Sequence, residues 1–193
     1  MVAQALAFVI DALGSLFVLA ALVRFWMQAF RAPARNPLAQ FTMALTDFAV
    51  RPLRRVIPGA FNLDWASLLV AFGFELLLQF LLLLVRGYSP NMEAMSVLLF
   101  FSFVKLIRLS IYVFIGAIIV QAVLSWVNPH HPVAPFFQAL TRPFLRPFQR
   151  AVPPIGGVDI TPVLVLIAFQ LVLMLPVTWL ETECARMLQR ALL

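Results

Sequence analysis

Four stretches of the chain stay apolar for about 20 residues or more, the length a helix needs to cross a hydrocarbon core of ~30 Å. They run from about Val2 to Val23, from Leu63 to Val85, within Met95–Val127, and from Ile160 to Leu180; the third is longer than one crossing needs. Charged interruptions are few: Asp11 in the first, Asp64 at the start of the second and Glu75 within it, and Lys105 and Arg108 in the third. Backbone crossing lipid must bond internally, and no segment alternates with a period of two over ten residues, so helices are predicted rather than barrel strands. The first stretch has no basic leader, and its apolar run is too long for a signal peptide. It reads as a retained membrane helix.

The segments between spans carry a different period. In "NPLAQFTMALTDFAVRPLRRVIP", Leu38, Phe41, Leu45, Phe48 and Ala49 fall three and four apart, while Gln40, Thr42, Asp47, Arg51 and Arg54 take the remaining positions. That spacing predicts a short amphipathic helix in the headgroup layer, stopped or kinked at Pro52. The segment after the third span adds Pro135 and Pro143, which predicts a shorter or more broken helix. Beyond Leu180, Cys184, Met187, Leu188 and Ala191 share one face and predict a further interfacial helix.

A shift of 95 residues lays one half of the chain on the other. Between positions 37 and 64, 11 of 28 residues are identical, without a gap. Among them, Arg51, Pro52, Arg55, Pro58 and Asp64 return as Arg146, Pro147, Arg150, Pro153 and Asp159. Each unit reads span, connector, span, with 1–94 as the first and 95–193 as the second. Two spans per unit bring the chain back to its starting side, so the repeats are parallel rather than inverted. The predicted architecture is an all-α membrane protein, with four transmembrane helices in two parallel two-helix repeats, each with an amphipathic interfacial connector.

Composition agrees. Hydrophobic residues make up 63% of the chain and charged ones only 11%, too few to cover a water-facing surface. The formal charge of +6 arises from 14 Arg and Lys against 8 Asp and Glu, and the basic residues lie between apolar runs. They therefore point to topology and anionic lipid headgroups rather than to direct contact with nucleic acid. Eight connector arginines (Arg31, Arg35, Arg51, Arg54, Arg55, Arg142, Arg146 and Arg150) face five basic residues on the other side, which favours cytoplasmic connectors. Cys184 is the only cysteine, so no intramolecular disulfide and no cysteine metal cluster is available.

Asp64 and Asp159 stand just before their spans, where a carboxylate accepts from free helix amides and meets the positive end of the dipole. A compatible reading pairs each with an arginine of the preceding motif, Arg55 and Arg150 first, clamping connector to bundle. The arginines themselves are either topology determinants snorkelling to the interface or a docking site whose R-P-x-x-R spacing is kept. Glu75 falls near the membrane centre, with Gln79 one turn away and neutral Gln170 as its repeat counterpart. An ionisable group at that depth is either a functional site or a buried hydrogen-bonding group. Arg24, Lys105 and Arg108 read as span ends within reach of a carboxylate on a neighbouring helix. Adjacent His130 and His131 diverge and have no acidic or cysteine ligand beside them, so no metal site is expected there. No phosphate loop, haem attachment motif or nucleophile elbow occurs, and neither an enzyme nor a cofactor is expected.

The doubled unit of apolar span, "NPL…LT…RPLRRVIP…D" and second apolar span resembles the YggT family of bacterial integral membrane proteins, whose single-unit relatives occur in cyanobacteria and chloroplasts. The second half departs from the first in starting its last span with Ile160–Thr161–Pro162 instead of Trp65–Ala66–Ser67. The resemblance implies roles as varied as cell division, nucleoid organisation, cytochrome assembly, and osmotic tolerance with potassium uptake. The combined expectation is a non-enzymatic inner-membrane assembly or organising factor. Its Arg–Pro connectors would bind anionic headgroups, a partner membrane protein or a second copy. The rival is a component of an ion uptake system that uses Glu75, Gln79 and Gln170.

Overall fold

The computed structural model describes residues 1–60, 63–152 and 159–192. The chain forms α1 (Val2–Ala29), α2 (Pro37–Val56), α3 (Trp65–Val85), α4 (Met92–Val127), α5 (Ala134–Ala151), α6 (Thr161–Val172), a π turn (Leu173–Val177) and α7 (Thr178–Leu192). No strand occurs among the described residues. Four helical stretches are long and apolar enough to cross a membrane: α1, α3, α4, and the continuous run Thr161–Leu192. The protein is a multi-pass membrane protein.

Side-chain caps start three of the helices where the sequence changes character. The Asn36 carboxamide accepts from the Ala39 amide at 2.9 Å and the Asn91 carboxamide from Ala94 at 2.8 Å. Asp64 caps α3 in the same way, accepting from the Ser67 amide. At the other end of α3, Gly87 adopts φ +86°, a conformation glycine tolerates at little cost.

Helix α4 is the centre of the bundle, packing against α1, α3, α5, α6 and α7. Helix α1 lies along α3, so closely at Gly14 that a Cβ there would meet Leu78 at 2.7 Å. The interior is Val18, Leu22, Val50, Val70 and Leu106 in the first half, and Val104, Ile111, Leu173 and Val177 in the second. Met27 and Ala39 meet Ala117, Phe136 and Leu140, which joins the two halves and brings both connectors to one end. At the opposite end Leu83, Leu98 and Leu188 pack together, and the Asn91 carboxamide donates to the Ala191 carbonyl at 2.7 Å.

Pro52 does not stop α2, which runs on to Val56, and α5 is shorter than α2 as expected, 18 residues against 20, but runs unbroken through Pro143 and Pro147. All three prolines sit on exposed faces, so the carbonyls they leave without a helical donor are not trapped in the core. The tail is not a separate helix. It continues the last span as α7, burying Cys184, Leu188 and Ala191 against α4 and its neighbours and leaving Met187 exposed.

The connectors also use their faces differently. Buried positions on α2 are the small Ala39, Thr42, Thr46 and Val50, while Leu38, Phe41 and Phe48 are exposed. On α5 the large residues turn inward: Phe136, the counterpart of Phe41, is 1% exposed where Phe41 is 65% exposed.

Candidate functional site

The first connector meets its second span through a buried charge network. Arg24, in the last turns of α1, is 5% exposed. Its guanidinium donates to the Thr46 hydroxyl at 2.9 Å and to Asp47 at 2.8 Å, and its Nε stands 3.9 Å from Asp64. Thr46 spends its own proton on the Thr42 carbonyl at 2.8 Å, leaving its oxygen free to accept. Arg51 holds the other oxygen of Asp47 at 2.6 Å, and Arg54 pairs directly with Asp64. The Ser67 hydroxyl completes Asp64 at 2.5 Å. Three guanidiniums thus converge on two carboxylates and fix α1, α2 and the start of α3 to one another.

The electrostatics follow from this geometry. Desolvation is the largest influence on Asp64 and pushes its carboxyl up. The Ser67 hydroxyl and the Arg54 guanidinium together outweigh it and hold the group below the usual carboxylate value. Asp47 is likewise pushed up by burial and pulled below its ordinary value by Arg24 and Arg51.

The partner of Asp64 was expected to be Arg55, and it is Arg54. One residue is about 100° around a helix, and Arg55 points outward. In the second repeat the equivalent position is Gln149, whose carboxamide donates to Asp159 at 3.0 Å, so Arg150 is not the partner there either. Asp159 also accepts from the Thr161 amide at 2.9 Å and hydroxyl at 2.6 Å. Burial raises its pKa, and these bonds bring it below the ordinary value. Pro58 is exposed beyond the end of α2, Pro52 and Pro147 lie inside helices, and Pro153 lies outside the described residues. Arg55, Arg142, Arg146 and Arg150 are exposed and form no ion pair among the described residues.

The intramembrane trio is divided. Gln79 donates to Glu75 at 2.7 Å, but Gln170 is exposed on α6, which does not pack against α3. Deeper charge pairing occurs between α4 and α7, where Arg108 meets Glu181 at 2.6 Å and the Thr178 hydroxyl at 3.0 Å. Among the described residues no three His, Cys, Asp or Glu side chains are placed to share a metal ion.

Arg24, Asp47 and Arg54 were the members that sequence reasoning did not bring together. A signal was available, because their repeat counterparts are Ile119, Arg142 and Gln149, so all three charges change together. Sorting every ionisable side chain by end of the bundle gives a clear partition. The connector end carries nine arginines and three aspartates, and the rest of the bundle five basic and five acidic residues. The whole formal charge of +6 therefore belongs to the connector end. Below it, an apolar groove of about 730 Å³ is lined by Trp26, Leu69, Phe72, Phe103, Phe144 and Phe169. Phe144 lies between Arg142 and Arg146 in the chain.

Comparison with known proteins places the chain. An uncharacterized protein of Pseudomonas aeruginosa is 37% identical over 170 residues, covering 87% of this chain and 86% of its own length. The uncharacterized protein in the proC 3' region of Vibrio alginolyticus is 31% identical over 168 residues, 86% of this chain and 90% of that one. Uncharacterized protein YggT of Escherichia coli K12 is 32% identical over 163 residues, 84% of each chain. No solved structure matches. The CCB3/YggT family profile matches twice, over residues 3–85 and 100–180, once in each half. The chain belongs to the CCB3/YggT family.

Proposed function

We propose that this protein is a non-enzymatic organising factor of the bacterial inner membrane, which gathers anionic lipid, and through it partner membrane proteins, at a cytoplasmic connector end. The observation that carries this reading is the set of exposed arginines without acidic partners among the described residues, Arg55, Arg142, Arg146 and Arg150, on the end that holds the whole net charge. Surface guanidiniums near a negatively charged leaflet are attracted by about 1 kcal/mol each. Their planar donors suit phosphate oxygens. The apolar groove beneath them has room for acyl chains, and exposed Phe41 and Phe48 on α2 suit the boundary between headgroup and chain.

The test is lipid composition around the reconstituted protein. In nanodiscs of mixed phosphatidylglycerol and phosphatidylcholine, the protein should retain phosphatidylglycerol above the bulk fraction through gentle delipidation. A variant carrying R142Q, R146Q and R150Q should retain only the bulk fraction while melting at the same temperature. Equal retention by both proteins would end this reading.

The rival, a component of an ion uptake system, is favoured by one observation: Glu75 is buried with an oxygen that has no hydrogen-bond partner among the described residues. Potassium flux into proteoliposomes that E75Q abolishes would establish it. The organising reading is preferred because the described spans present mainly apolar side chains, whereas an ion path needs polar lining.

A further inference from the structure

Glu75 is 2% exposed within α3. One of its oxygens accepts from Gln79; the other has no partner among the described residues. The Ser102 hydroxyl on α4 is also buried without a partner, three residues before Lys105 and so on the same side of its helix. Gln79 continues outward into a cavity of about 710 Å³ between α1, α3 and α4, shared with Gln4, Asp11, Arg86 and Lys105. These residues come from the beginning of α1, the end of α3 and the first half of α4, so the cavity opens toward the end opposite the connectors.

We propose that Glu75 is a proton-binding site, reached from the terminal end of the bundle through a water-filled vestibule that Gln79 closes. Asp11 and Lys105 form no ion pair among the described residues. The Lys105 ammonium lies 5.4 Å from the centre of the Phe101 ring, and an unpaired charge in hydrocarbon costs several kcal/mol, so the placement of both groups on one cavity favours water in it. The charged groups acting on Glu75 are Lys105 on α4, Asp11 on α1 and Glu181 on α7, the last already tied to Arg108. α2 contributes none of them, since it packs at the connector end. A proton from vestibule water adds to the free oxygen to give a neutral carboxyl, and release to the same water restores the carboxylate. A metal cation fits poorly, because one carboxylate and one amide supply too few oxygens and the Lys105 ammonium faces the same space.

The experiment uses the full chain in proteoliposomes with N,N′-dicyclohexylcarbodiimide, which reacts with protonated carboxyls in apolar surroundings, and reads adducts by peptide mass. The proposal expects an adduct on Glu75, absent in E75Q, that falls about tenfold per pH unit once the carboxyl ionises. Exchange of sodium for potassium should leave it unchanged. Replacing Gln79 with Leu should change the rate of labelling without changing the melting temperature. An absent adduct, or one indifferent to pH, would overturn the proposal. Protection by sodium or potassium would overturn it in favour of a metal-cation site. The R142Q/R146Q/R150Q variant should label like the parent, so this result stands apart from lipid retention.

Discussion

Residue 54 is Arg and residue 149, its counterpart, is Gln, and around that exchange two copies of one motif have taken different work. In the first repeat the motif is sewn into the fold: Arg24, Arg51 and Arg54 hold Asp47 and Asp64, while the large apolar residues of α2 face outward. In the second, the large apolar residues of α5 are in the core. Asp159 is satisfied by Thr161 and Gln149, and Arg142, Arg146 and Arg150 are left without acidic partners among the described residues. Packing and charge have traded places. A motif anchored by its charges can offer its aromatics to the surroundings, and a motif anchored by its aromatics can offer its charges.

The sharpest way to break this comparison is at the paired phenylalanines. Phe136→Ala should destabilise the protein by about 3–5 kcal/mol through the cavity it leaves, and Phe41→Ala by no more than about 0.5 kcal/mol, read as unfolding midpoints in nanodiscs. Similar losses at both sites would show that the connectors are anchored alike.

At the aspartates the order reverses. Asp64→Leu takes the carboxylate from Arg54 and the second of two from Arg24, leaves the buried Ser67 hydroxyl unpaired and removes a helix cap, a loss of about 2 kcal/mol, whereas Asp159→Leu should cost about 1 kcal/mol, the value of a cap. Acid should expose the same clamp. The Asp64 carboxyl is held below its ordinary 3.8, so its contribution is present above that value and is lost as pH falls through the lower folded value. Unfolding midpoints at neutral pH and below pH 3.8 should therefore converge in Asp64→Asn relative to the parent. The smallest effect is the direct exchange. Arg54→Gln should cost about 1 kcal/mol because much of that side chain is in solvent, and Gln149→Arg should gain less than about 1 kcal/mol against exposed Asp159. A gain as large as the loss would mean that the second junction only lacks its arginine.

The spans, connectors and repeat were legible because each rests on one-dimensional information: run length, a three-to-four spacing, and a shift of 95 residues that aligns eleven identities. The partners were not. Arg54 and Arg55 differ by about 100° on a helix, and no spacing inside α2 says which face meets α3. Gln170 was grouped with Glu75 because repeats align in sequence. Yet α3 packs on α1, α2 and α4 while α6 packs on α4 and α5 and not on α3, so residues equivalent in the repeat are not brought together. The tail looked like a separate helix because its apolar stripe was visible and its destination, α4, was not.

The π turn at Leu173–Val177 gives that tail its direction. A π turn holds one residue more than an α turn, so all that follows is rotated by about 100° relative to an uninterrupted helix. Pro176 lies within it, and the Thr178 hydroxyl takes up the Leu173 carbonyl at 2.7 Å. The last span is therefore two rods on one axis with separate azimuths: the first packs between α4 and α5, the second on α4. Glu181 reaches Arg108 and Cys184 reaches the core because of that phase step. Deleting one residue there would let the run close as an ordinary α-helix and leave the second rod on nearly the same bearing, so the extra residue is one that the π turn absorbs.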